Sequence, residues 1–69
     1  MYKLNLFRTR EVSTVKEAID LLENQYITIN RPDSTFGFYS IYDHGAFVAM
    51  AETFKEIVDI ANAILDARE

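Results

Sequence analysis

The sequence predicts an α+β domain of order β-α-β-β-β-α, with an antiparallel four-stranded sheet and two helices packed on one of its faces. Three observations predict it. Two Thr-x-x-Glu capping boxes, Thr14 to Glu17 and Thr53 to Glu56, each open an amphipathic stretch. Short alternating or β-branched runs fill the rest of the chain. The connections between them are short, so neighbouring strands pair antiparallel and the helices share one sheet face.

Each element has its own local reason. Tyr2 to Phe7 alternates around Leu4 and Leu6 and reads as a strand, followed by a polar connection from Arg8 to Ser13. Val15, Ala18, Ile19 and Leu22 then share one arc of a helix over about residues 15–24, with Lys16, Glu17, Asp20, Glu23 and Asn24 opposite. Tyr26 to Asn30 is β-branched at Ile27, Thr28 and Ile29 and reads as the second strand. Arg31-Pro32-Asp33-Ser34 carries turn chemistry, because proline fixes φ and the short polar side chains bond nearby backbone. Phe36 to Tyr42 and Ala46 to Ala51 read as strands joined by a two-residue loop, His44-Gly45. The second capping box opens a helix from Phe54 to Ala67. The stretch from Thr14 to Leu22 echoes that from Thr53 to Ala61, a likeness that capping boxes and amphipathicity generate without any duplication.

Length and composition bound the function. With 69 residues the chain is read as one domain, residues 1–69. A core this small supplies only about 3–5 kcal/mol without staples or oligomerisation. Cysteine is absent and His44 is the sole histidine, so disulfides and a thiolate or zinc centre are not expected. The net charge of −4 opposes the basic excess that phosphate binding favours. Met1 leads directly into Tyr2-Lys3-Leu4-Asn5-Leu6 with no long apolar run, so neither a signal peptide nor a membrane span is expected, and a cytoplasmic location is.

No catalytic apparatus is legible. Glu17 with Asp20 and Glu56 with Asp59 are carboxylate pairs, but they sit on polar helix faces where solvation is the simpler reading. Ser13, Ser34 and Ser40 lack a nucleophile-elbow motif. Gly37 and Gly45 are too far apart for a phosphate loop. No enzyme, cofactor or metal is therefore expected. Arg8 and Arg10 precede a helix N-terminus, where free amides favour anions, and with His44 at a loop tip they are the candidate ligand contacts.

From the first helix onward, the α-β-β-β-α order resembles that of double-stranded-RNA-binding domains. The likeness is one of topology. Those domains present lysines at the start of the last helix to span phosphates. The matching stretch here, Glu52-Thr53-Phe54-Lys55-Glu56, holds one lysine among acids, so no functional residue carries over.

The informative feature is surplus apolar surface. A one-sided antiparallel sheet alternates apolar and polar residues, yet both faces of the Phe36–Ala51 hairpin are apolar. With Tyr42 opposite Phe47, an unbroken ladder sets Ser40 against Ala49 and Phe38 against Ala51. Helices then approach the small residues, and Tyr39, Ile41, Val48 and Met50 turn away from them. The last helix adds an apolar arc of roughly half its circumference, with Ile60 and Ala63 toward its margin. The expected function is a non-enzymatic protein-interaction module that self-associates as a homodimer through Tyr39, Ile41, Val48, Met50, Ile60 and Ala63. Small acidic chains of this kind are frequent among phage and mobile-element regulators and inhibitors of host proteins. An anionic-ligand binder using Arg8, Arg10 and His44 is the alternative, and a nucleic-acid-binding domain the second.

Overall fold

The computed structural model describes residues 1–33 and 37–68. The expected strand start at Phe36 and the turn residue Ser34 lie outside that set. The described elements are β1 (Tyr2–Asn5), β2 (Thr9–Val12), α1 (Val15–Glu23), β3 (Ile27–Asn30), β4 (Tyr39–Asp43), β5 (Ala46–Ala51) and α2 (Phe54–Ala67). The α+β class holds. The strand arrangement does not follow the expected single sheet of four: β1 and β2 form a two-stranded antiparallel sheet, and β3-β4-β5 form a separate three-stranded one. The difference arises at residues 9–12, expected to be a loop. Thr9-Arg10-Glu11-Val12 doubles back along β1, with Tyr2 opposite Val12 and Leu4 opposite Arg10. Only Val12 of that strand is buried, so it carries no alternating apolar signal.

Both threonines cap their helices, each making the threonine half of its capping box. Thr14 Oγ1 accepts from the Glu17 amide at 3.1 Å, and Thr53 Oγ1 accepts from the Glu56 amide at 3.3 Å. The Thr53 hydroxyl also donates to Glu56 Oε1 at 2.9 Å, so that carboxylate takes the hydroxyl rather than the threonine amide. Helix α1 packs on β3 and α2 on β1, β4 and β5, around a core that includes Leu4, Val12, Leu22, Ile27, Ile41, Ile57 and Leu65.

Helix α2 explains the wide apolar arc. It lies against both sheets, so it buries Phe54, Ile57, Val58, Ala61 and Leu65 and sets Ile60 and Ile64 against the core margin. The ring of Phe54 meets Tyr2 of β1 edge-on at 4.9 Å and Tyr39 of β4 at 5.4 Å. Asn62 fastens the same helix to the β1 backbone. Its side-chain amide donates to the Lys3 carbonyl at 2.8 Å while its carbonyl accepts from the Asn5 amide at 2.9 Å, which is the pattern a neighbouring strand would offer. Asn5 in turn donates from its side chain to Asp66.

A β-bulge decides which residues of β5 face the core. Tyr42 pairs with Phe47 as expected, but the ladder shifts between Ile41 and Tyr42, so Ile41 pairs with Ala49, Ser40 with Met50 and Tyr39 with Ala51. Val48 is the extra residue. The shift matches large to small on both faces. On the core side Tyr39 and Ile41 meet Ala51 and Ala49, and on the other side Met50 meets Ser40. The expectation that Tyr39 and Ile41 turn away from the helices is therefore corrected: Ile41 is fully buried and Tyr39 packs against the core.

The Asn62 contacts carry a prediction. Replacing Asn62 with Ala leaves a strand amide and carbonyl to water, at a cost of about 0.5–1.5 kcal/mol. Urea unfolding should show a lower midpoint with little change in slope. Asn62→Asp should lose nearly as much, because a carboxylate cannot donate to the Lys3 carbonyl.

Candidate functional site: the outer sheet face

With the helices on one face of the three-stranded sheet, the bulge leaves Tyr42, Phe47, Val48 and Met50 on the other, alongside Thr28 and Ser40. Phe47 is 57% exposed, Met50 53% and Val48 41%, with Phe38 exposed just before β4. Tyr42 and Phe47 meet edge-on at 5.7 Å and hold each other in place across the strands. Among the described residues this part of the face carries no charged side chain. At the C-terminal end of β5 it runs into an open groove of about 560 Å³ lined by Phe38, Met50, Ala51, Glu52 and Glu56.

Of the residues expected to mediate contact, Val48 and Met50 are on this face. Tyr39 and Ile41 are not, for the reason given by the bulge. Ile60 packs against the core margin, and Ala63 is exposed on α2 with no large apolar neighbour exposed on that helix. The width of the α2 arc is accounted for by its two sheet contacts. Phe38, Tyr42 and Phe47 belong to the face but were expected on the helix side. An unbroken ladder through residue 48 put them there, and no glycine or other local signal marks the bulge.

The candidate ligand contacts fall elsewhere. Because β2 is a strand, Arg8 and Arg10 lie near its start, away from Thr14, the N-cap of α1. They line a second groove with Leu6, Phe7, Leu21, Asn24 and Gln25, beside the C-terminal end of α1. Cationic groups at that end face the negative pole of the helix dipole, so the expected anion site at a helix N-terminus is not assembled.

His44 belongs to a clasp at the hairpin end of the molecule. His44 and Gly45 have φ of 50° and 83°, as a tight hairpin loop demands. The His44 amide donates to the Tyr26 carbonyl at 2.9 Å, and the two rings stack at 5.2 Å. Tyr26 itself is held at φ 61°, a left-handed conformation that costs about 1 kcal/mol for a non-glycine residue. Asp43 Oδ1 lies 2.8 Å from His44 Nδ1 and accepts from Arg68 Nη2 at 2.6 Å, while Arg68 Nη1 donates to the Gln25 carbonyl at 2.7 Å. One arginine just beyond α2 thus ties together the α1–β3 connection and the β4–β5 turn.

The carboxylate pairs are solvated or locally paired. Lys16 bridges to Asp20 at 2.9 Å and Lys55 to Asp59 at 3.5 Å, each one helical turn apart. Among the described residues no three histidine or acidic side chains gather in metal-binding proximity, and no helix is long and apolar enough to cross a membrane. No family model, curated protein or solved structure matches the chain.

The clasp makes a pH prediction. Hydrogen bonding by His44, then by Arg68, holds the Asp43 carboxyl below its ordinary value. A depressed carboxyl contributes stability above its unfolded pKa and loses it as pH falls through the folded value. Urea midpoints measured from about pH 6 down to about pH 2 should therefore fall more steeply for the wild type than for Asp43→Asn. Parallel curves would remove the clasp from the acid response.

Proposed function

We propose that the chain is a protein-interaction module whose contact surface is the outer face of the β3-β4-β5 sheet, and that a second copy is its first partner. The observation that carries this reading is the uncharged apolar row of Tyr42, Phe47, Val48 and Met50, with Phe38 at its end. Contiguous exposed apolar surface on a small domain marks interaction sites. Aromatic and methionine side chains are the types enriched at interface centres, and depletion of charge is the accompanying sign. A face without charge meets its own copy with no like-charge repulsion. The small core gives association a second role, since burying this row adds to a stability that few buried side chains supply.

No helix packs on the row, so it can be changed without unfolding the chain, at the cost of the edge-on contact between Tyr42 and Phe47. Sedimentation velocity over micromolar to millimolar concentrations should show reversible association of the wild type. Phe47→Ser with Met50→Ser should weaken it by at least about tenfold, or ~1.4 kcal/mol, while the urea midpoint falls only by the lost Tyr42–Phe47 contact, about 0.5–1.5 kcal/mol. A wild-type chain that stays monomeric throughout would refute the self-association reading.

A further inference from the structure

We propose that the β1–β2 tip of one copy, led by Phe7 and flanked by Arg8 and Arg10, docks into the groove formed by Phe38, Met50, Ala51, Glu52 and Glu56 of a second copy. The inference rests on the self-association reading and names the segment that covers the end of the exposed face.

Three observations point to this contact. The first is Phe7, which is 100% exposed on the three-residue connection between Asn5 and Thr9. A tight hairpin holds this large aromatic wholly in water, and a partner that covered it would remove its apolar area from solvent. The second is shape. Phe7 projects fully into solvent at the tip, and the shallow groove at the start of α2 offers about 560 Å³ of open space over an apolar floor of Phe38, Met50 and Ala51. That space suits an aromatic side chain and its immediate neighbours.

The third is charge. The chain is acidic overall, at −4, yet Arg8 and Arg10 are two cations at one tip. Among the described residues neither forms an ion pair, nor do Lys3 and Arg31, whereas Lys16, Lys55 and Arg68 are engaged with aspartates. The groove rim is the complement. Glu52 forms no ion pair among the described residues, and Glu56 accepts only from the Thr53 hydroxyl. An aromatic residue with two arginines therefore meets an apolar floor with two glutamates.

Tip and groove cannot meet within one copy. The tip groove includes Gln25, which Arg68 links to Asp43 at the hairpin end of β4 and β5. The other groove opens at Ala51, the far end of β5, about 17 Å away along the strand. A two-fold pair would use the contact twice, and copies joined head to tail would use it in series.

Mixed charge reversal tests the contact directly. One variant carries Arg8→Glu and Arg10→Glu. The other carries Glu52→Arg and Glu56→Gln, which keeps a capping side chain at position 56. Urea midpoints report that each is folded. Each alone should self-associate at least about tenfold more weakly than the wild type, and an equimolar mixture should recover to within about threefold. Phe7→Ser, at a fully exposed residue, should weaken association by a similar factor with little change in midpoint. A mixture that binds no better than its components, or a Phe7→Ser chain that associates like the wild type, would overturn the proposal. If these variants associate normally while Phe47→Ser with Met50→Ser does not, the tip contact falls and the sheet-face reading stands. A wild type monomeric at millimolar concentration removes both.

Discussion

The β-bulge at Val48 is the constraint on which the rest of the structure depends. It inserts one residue between the hairpin turn and the body of β5 and so reverses the facing of everything beyond it. Before the bulge, Phe47 lies opposite Tyr42. After it, alanines face the core and Met50 faces out. An unbroken ladder would have placed Val48 and Met50 beside Ile41 and Tyr39, four large side chains on one face. The bulge instead sets Ala49 and Ala51 against them. Small residues at these positions let α2 approach the sheet closely, and the large apolar residues of β5 are left on the side that no helix covers.

The same economy governs α2. The helix serves two sheets at once, through the Phe54 ring between Tyr2 and Tyr39 and through the Asn62 amide on the β1 backbone. That double duty consumes its broad apolar arc. Among the described residues the exposed large apolar side chains gather chiefly on the outer face of β3-β4-β5, with Met1, Phe7 and Tyr26 exposed elsewhere. The polar clasp of Asp43, His44 and Arg68 closes the hairpin end of the molecule. It shapes the scaffold and leaves the apolar face free.

Much of this was legible in the sequence, and the reasons for the rest are specific. The capping threonines set both helix starts, because the hydroxyl and the glutamate three residues on act locally. His44-Gly45 set the hairpin turn for the same reason, through backbone conformations that few residues adopt. Strand β2 was hidden, since three of its four residues face water and its pairing with β1 is decided by the chain doubling back. The bulge was hidden because nothing at Val48 differs locally from its neighbours. Only the packing of large against small across two strands selects it. The facing of the hairpin was therefore legible only in part: Val48 and Met50 point outward, but Tyr39 and Ile41 lie in the core, and Phe38, Tyr42 and Phe47 lie away from the helices that were expected on their side. Arg68 gave no signal, because its partners Asp43 and Gln25 are distant in the chain.

If the residues turned outward by the bulge form the contact surface, their methyl groups must lose contact with solvent on association. The most direct measurement is the solvent accessibility of individual methyl groups, read by NMR with a soluble paramagnetic probe across a concentration series. The account predicts that Ile41 methyls are protected at every concentration, while those of Val48 and Met50 are accessible in dilute solution and become protected as copies associate. Val48 and Met50 methyls that stay accessible throughout, or an Ile41 methyl as accessible as theirs, would contradict it.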